Sequence, residues 1–189
     1  MRKIILMMGV SLDGFIEGPN REIDWHVVDE ELHFRFNELI RLAGGFISGR
    51  VTHELMAAYW PTAAQDPASK APEVEFAAIW LNMPKIVFSR TFQGDEWNTT
   101  VIRKLDPEEV RGWKAQPGGD LLLSGADLAA SFMQHNLIDE YRISVHPVLI
   151  GQGKPLFPAS DIKTSLELIE TERFGNGVVT LHYRTKPRD

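Results

Sequence analysis

The chain has 189 residues, 43% of them hydrophobic and 24% charged, which suits one globular domain with its own core over residues 1–189. Its net charge of -6 and pI near 5.5 speak against a nucleic-acid or anionic-membrane surface, so an anionic ligand has to be held by a local arrangement. With no cysteine, disulfides, thiol catalysis and cysteine-ligated zinc fall away; with no apolar run of membrane-spanning length, the expectation is a cytoplasmic protein.

Ile4 to Val10 is nearly all apolar, which predicts a central strand covered on both faces. The run is cut by Ser11 and Asp13 without a small-residue cleavage site, so a first strand is expected rather than a signal peptide. Ser11-Leu12-Asp13-Gly14 is a turn signal, and the loop that follows through Phe15-Ile16 reaches Trp25. Open α/β folds place ligands at such loops on the C-terminal edge of a central strand. A helix is predicted from about Asp29 to Ala43, with Leu32, Phe36, Leu39, Ile40 and Ala43 as its core stripe. Phe34 falls on the opposite face, one turn from Glu30, and is either a pocket wall or a single exposed apolar residue.

Phe46 to Ser48 reads as a short strand entering Gly49-Arg50-Val51-Thr52. A guanidinium, a hydroxyl and a helix start would together hold an anion there; the plainer alternative is an i,i+4 ion pair of Arg50 with Glu54. Tyr59-Trp60-Pro61 is expected to end that helix, residues 61 to 73 to form an exposed excursion, and Glu73 to Asn82 to be helical. Strands are predicted at Lys85 to Ser89 and Thr99 to Ile102, and a helix starts at Asp106-Pro107 with Asp106 as N-cap.

Leu121 to Leu123 predicts a buried strand, followed by the small-residue turn Ser124-Gly125-Ala126. A helix carrying Leu128, Ala129, Phe132, Met133 and Leu137 comes next, with Asn136 near its end, then a strand from Tyr141 to Ile150. This is a βαβ pattern. Its turn either seats a phosphate on open helix amides, with Asp127 pointing away, or is an ordinary turn with Ser124 as N-cap. Alternating residues at Leu166–Glu170 and Val178–Tyr183, joined across Phe174-Gly175-Asn176-Gly177, predict an antiparallel hairpin at one edge. The expected architecture is α/β: a three-layer αβα fold whose central sheet is mixed, mostly parallel, with antiparallel C-terminal strands.

Several chemistries find no support. The six histidines lack metal-ligand spacing, no Gly-x-Ser-x-Gly elbow occurs, and Gly151-Gln152-Gly153-Lys154 lacks the remainder of a P-loop.

In order along the chain, Ser11-Leu12-Asp13-Gly14-Phe15-Ile16, Gly49-Arg50-Val51-Thr52, Lys85-Ile86-Val87-Phe88-Ser89-Arg90-Thr91, Ser124-Gly125-Ala126, Leu137–Arg142 and Pro147–Phe157 form a set. This set resembles the dihydrofolate reductase-like superfamily, nearest to the bacterial group typified by the reductase domain of the bifunctional riboflavin-biosynthesis deaminase–reductase. The resemblance implies an NADPH-dependent reductase passing hydride to a pyrimidine- or pterin-type ring, similar to 5-amino-6-(5-phosphoribosylamino)uracil reductase. It implies that Gly49, Arg50 and Thr52 hold cofactor phosphates, that Ser89 and Arg90 lie near the adenosine 2'-phosphate, and that Ser124, Gly125 and Ala126 cradle the pyrophosphate. Gly9, Asp13 and Ile16 would border the nicotinamide, with Asp13 and Glu30 as catalytic residues. Trp25, Glu30 and Phe34 would bind substrate, Glu30 having a raised pKa if partly buried beside Phe34. Asp29 or Glu31 takes the place of Glu30 if the alignment slips by one. A homodimer through the C-terminal edge also follows from the resemblance; an inactive nucleotide-binding module and a folate reductase are the competing readings.

Overall fold

Residues 1–186 are described in the computed structural model. β1 (Ile4–Ser11) is hydrophobic along its length because it lies near the middle of an eight-stranded sheet and is covered on both sides. β3 (Gly45–Gly49), β4 (Lys85–Phe88) and β5 (Thr99–Ile102) extend the sheet on one side; β6 (Leu121–Ser124) returns to fill the place between β3 and β1. β7 (Glu140–His146) lies on the other side of β1, also parallel to it. β9 (Leu166–Arg173) and β10 (Val179–Thr185) form the C-terminal hairpin, and β10 runs antiparallel to both β7 and β9. β2 (Phe15–Glu17) and β8 (Lys154–Pro155) form a separate two-stranded ribbon. The strand order is β5-β4-β3-β6-β1-β7-β10-β9.

The helices make the outer layers. On one face, α1 (Glu30–Arg41), α2 (Arg50–Ala63) and α3 (Ala71–Asn82) bring Ile40, Phe76 and Trp80 against Ile5 and Leu122. On the other, α4 (Pro107–Ala115) and α5 (Ala126–Gln134) bring Val110, Ala129 and Phe132 against Ile4, Leu6, Leu121 and Leu123. Successive residues of one strand thus feed opposite cores. Asp106 caps α4 as expected, its side chain accepting from the Glu108 amide. At the end of α5, Asn136 takes φ 53 while Leu137 N–H donates to Phe132 O and Asn136 N–H to Met133 O. That is a Schellman termination, so Leu137 is buried in the turn after the helix and not in it.

Several further boundaries differ from expectation, three of them with a clear physical cause. β7 stops at His146 instead of Ile150, since Pro147 has no N–H for the ladder. α2 continues through Pro61 to Ala63: a proline in the last turn forfeits one bond to a preceding carbonyl, and the remaining residues still close the helix. α3 starts two residues early, at Ala71, with Pro72 in its first turn, so the excursion is shorter than predicted. Among the described residues no helix is long and apolar enough to cross a membrane.

Candidate functional site

β4, β3, β6 and β1 are neighbours, with Gly49 level with Phe88 and Ser48 level with Ser124. The ends of β4 and β6 are therefore two strand spacings apart, about 10 Å. Three segments leave that edge side by side: α2 after Gly49, α5 after Ser124, and the Ser89–Arg90 loop. Neither α2, whose N-cap is Gly49, nor α5, whose N-cap is Gly125, has a side-chain cap. Their first amides are free to meet an anion. Gly125 has φ 95, and a Cβ on it would stand 2.9 Å from Thr52 Oγ1, so the two helix starts touch across a gap that only glycine leaves open. Gly49, Arg50, Thr52, Ser124, Gly125 and Ala126 are brought together there.

Details of this edge depart from the sequence reading. Ser124 is the last residue of β6 and not the cap of α5. Asp127 turns outward to Lys154 Nζ at 2.6 Å, so it does not oppose an anion. Arg50 is half exposed and makes the i,i+4 pair with Glu54 at 2.7 Å, and Arg90 is exposed. Ser89 Oγ accepts the amides of Thr91 and Phe92 at 3.2 and 3.0 Å, which shapes the loop carrying Arg90.

Beside that edge, the face under α1, α2 and α3 holds a cavity of about 270 Å³. Met7, Gly9 and Leu122 form its floor, with Phe36, Thr52 and Met56 in its walls. It adjoins a wider mouth of about 570 Å³, with Phe36, Met56 and Phe76 common to both. Over Gly9 stand two imidazoles the sequence reading passed by. A methyl group on Gly9 would lie 3.1 Å from His146 Nε2 and 3.4 Å from His26 Nε2. His146 Nδ1 accepts the Val27 amide at 3.0 Å, which leaves Nε2 as the position for its proton. Burial pushes the His146 pKa down to about 4, helped by His26, and burial lowers that of His26 as well. His26 Nε2 is buried and has no hydrogen-bond partner among the described residues, and His26 lines the mouth. The available signal was its place beside Trp25 at the end of the β1 loop. Trp25 donates its indole N–H to Glu22 O at 3.1 Å and packs edge-on against His26 and His146, ring centres 4.1 and 5.8 Å apart. It is a support for the histidines.

Two of the three candidate acids face the cleft. Asp29 and Glu30 both line it, while Glu31 turns away and accepts the Gly175 amide at 3.2 Å. Asp29 Oδ1 is engaged as the cap of α1, accepting from Leu32 N at 3.0 Å. Glu30 is not buried beside Phe34; its side chain is 56% exposed and 3.8 Å from Lys70 Nζ. Phe34 lies outside the cavity and is 42% exposed, whereas His33 and Phe36, its near neighbours in sequence, line the mouth. Asp13 is also misplaced for catalysis. Its exposed carboxylate accepts the amides of Gly151 at 2.8 Å and Ile150 at 3.3 Å, holding the loop after β1 to the segment before β8. Hydrogen bonding, from Ser11 first and then from those amides, lowers its pKa, against the sense needed for an acid. Ile16 packs against the core on the α5 side and lines neither cavity.

Comparison with known proteins places the fold. Residues 2–180 match the RibD C-terminal domain. The chain belongs to the RibD C-terminal domain family. It is 37% identical over 183 residues to the uncharacterized protein YyaP of Bacillus subtilis (strain 168), covering 96% of this chain and 94% of that one. A Shewanella sp. PV-4 structure named for riboflavin biosynthesis superposes with TM-score 0.74 at 23% identity, covering 99% of this chain and all of the other (100%). A Thermotoga maritima diaminohydroxyphosphoribosylaminopyrimidine deaminase/5-amino-6-(5-phosphoribosylamino)uracil reductase superposes with TM-score 0.64 at 14% identity; the match covers 98% of this chain and 57% of that one. These two likenesses establish the fold: a RibD-type, dihydrofolate reductase-like αβα sandwich, as the resemblance implied.

Proposed function

We propose that this RibD-type domain is an NADPH-dependent reductase acting on a pyrimidine- or pterin-type ring. The carrying observation is the pair of uncapped helix starts at Gly49 and Gly125, touching across Thr52 beside an apolar cavity. Their amides and the Thr52 hydroxyl fit a pyrophosphate, and Arg50 and Arg90 at the same edge fit a further phosphate, favouring NADPH over NADH. The nicotinamide, when bound, supplies a hydride. The chain's own share is to hold the acceptor ring flat over the β1 floor, to exclude water with Phe36, Met56 and Phe76, and to offer His26 Nε2 as a hydrogen-bonding partner for a ring heteroatom. A homodimer along β9 belongs to the same proposal; β9 is the outermost strand and leaves Leu166, Leu168 and Ile169 exposed.

Calorimetric titration with NADPH and NADH tests the reading. Tighter binding of NADPH, weakened by Arg90→Ala, together with NADPH consumption in the presence of aminopyrimidines or pterins, is the expected result. Equal or absent binding of both nucleotides would overturn it. Binding without turnover on any ring would favour the nucleotide-binding module.

A further inference from the structure

Four helix starts surround the cleft, and they fall into two kinds. α2 and α5, at the cofactor edge, have no side-chain caps. α1 and α3, at the mouth, are capped by the chain's own carboxylates: Asp29 accepts from Leu32 N at 3.0 Å, and Glu73 reaches back to the Lys70 amide at 2.8 Å. The positive ends of these two helices are thus already occupied by anions. Glu73 also accepts the Tyr59 hydroxyl at 2.9 Å, and Glu30 stands 3.8 Å from Lys70 Nζ. The mouth therefore carries three carboxylates against one ammonium.

Among the described residues, no neighbouring arginine redresses that balance. Arg35, on α1, is held by Glu172 at 2.9 and 3.0 Å and by Glu38, and Arg41 is paired with Glu75. His33 and His26 line the same space, and burial lowers the pKa of each, so both are neutral near pH 7. Between the charges the wall is aromatic: Trp60 meets Phe76 with ring centres 4.4 Å apart and Tyr59 at 4.8 Å. Faces of this kind attract planar rings and cations, and the surplus of carboxylates repels a phosphate.

We infer that the mouth selects a planar, amino-bearing heterocycle that carries no phosphate, a neutral or protonated ring such as a pterin or a dephosphorylated ribosylaminopyrimidine. The inference deepens the reductase reading and rests on the same cleft. It separates this substrate end from the cofactor end, where phosphates are welcome, and sets the chain's substrate apart from the phosphoribosyl compound in the name of the Thermotoga maritima relative.

The test uses the full chain and a ligand pair differing only in one phosphate, 5-amino-6-ribosylaminouracil and its 5'-phosphate, with a pterin as a third ligand. Each is titrated with and without NADPH, and binding is read, not turnover. Expected is a preference of at least about tenfold for the unphosphorylated ring, shrinking as salt is raised. In Glu30→Gln and Glu73→Gln, which keep hydrogen-bonding capacity, the 5'-phosphate should gain several-fold while the unphosphorylated ring gains less. Equal or tighter binding of the phosphate in the parent chain, or binding of none of the three ligands, overturns the inference. Loss of NADPH binding with the ring preference intact would instead overturn the reductase reading and leave the selectivity standing.

Discussion

Along β1 and β6, Ile4, Leu6, Leu121 and Leu123 point to α4 and α5 and are sealed, whereas Ile5, Met7, Gly9 and Leu122 point to α1, α2 and α3, where a cavity borders the sheet. The same strands build both faces, so propensity cannot explain the difference. What differs is the covering layer. On the sealed side, α5 docks close through Ala129 and Phe132, both fully buried. On the cleft side, Phe36, Met56 and Phe76 arch over the strands without filling the space above Met7 and Gly9. Directly beneath α5 the strands are closely packed, whereas beneath α1, α2 and α3 space remains above them; the cavity of about 690 Å³ on the α5 side lies farther out, among Met133, Tyr141 and Phe157.

The largest effect expected from this division falls on the sealed face. Phe132→Ala should cost about 3–5 kcal/mol by leaving a cavity, and lower the melting midpoint by roughly 10 °C. Nucleotide affinity per folded molecule should be unchanged. A large loss of affinity in the folded variant would break the division between the faces.

The cleft face should dominate the acid response. His146 has a folded pKa near 4 against an ordinary value of 6.5, so between those values the unfolded chain binds more protons. Its contribution is complete above about pH 6.5 and is lost as pH falls towards 4, by about 3 kcal/mol at most. His26 and His33 act in the same direction, also through burial. Glu140 responds lower down: desolvation raises its pKa, but hydrogen bonds from Lys3 and His182 outweigh that and leave it below 4.5, so its stabilisation disappears only as pH falls through that depressed value. Urea unfolding across pH 7 to 4 should show a slope that His146→Asn flattens between about pH 6.5 and 4. An unaltered profile would mean that the imidazole takes up its proton as readily in the fold as in the unfolded chain.

A smaller effect is expected at the edge where α2 and α5 begin. Gly125→Ala should meet strain of about 1–3 kcal/mol from its φ of 95 and press on Thr52 Oγ1. NADPH affinity should fall about tenfold, through displacement of amides that bind an anion. Melting and nucleotide titration of one preparation separate the two effects, and unimpaired binding would remove the pyrophosphate seat from this turn.

The fold was legible because its signals are periodic. The apolar run of Ile4–Val10, the βαβ pattern through Leu121 and the Gly175–Gly177 hairpin needed only spacing and turn chemistry. That Gly49, Ser89 and Ser124 lie along one edge was legible for a related reason, since strand ends in a parallel sheet must emerge together. The mouth was not. Whether Phe34 or its neighbours His33 and Phe36 face inward depends on the azimuth of α1, set by contacts with Leu32 and α3 that lie far apart in sequence. Likewise, nothing local to Asp13 reveals that Ile150 and Gly151 will claim its carboxylate. His26 and His146 meet over Gly9 only because β7 pairs with β1 so that Ser11 is level with His146.

The azimuth of α1 gives the finest test of the comparison. Phe34 is 42% exposed and outside both cavities, so Phe34→Ala should change stability by less than about 0.5 kcal/mol and leave ring binding as it was. Phe36→Ala, two residues away, removes a wall shared by both cavities and should weaken ring binding severalfold at equal helix content. The two variants remove the same side chain from the same helix and differ only in the direction each residue points. Helix propensity and lost rotamer entropy are matched, so a gap in binding between them measures orientation. If Phe34→Ala were the more damaging to binding, α1 would have to be turned by about 160° from the arrangement described, since two residues subtend about 200° around a helix. Glu30 and Asp29 would then leave the mouth, and its acidic character would leave with them.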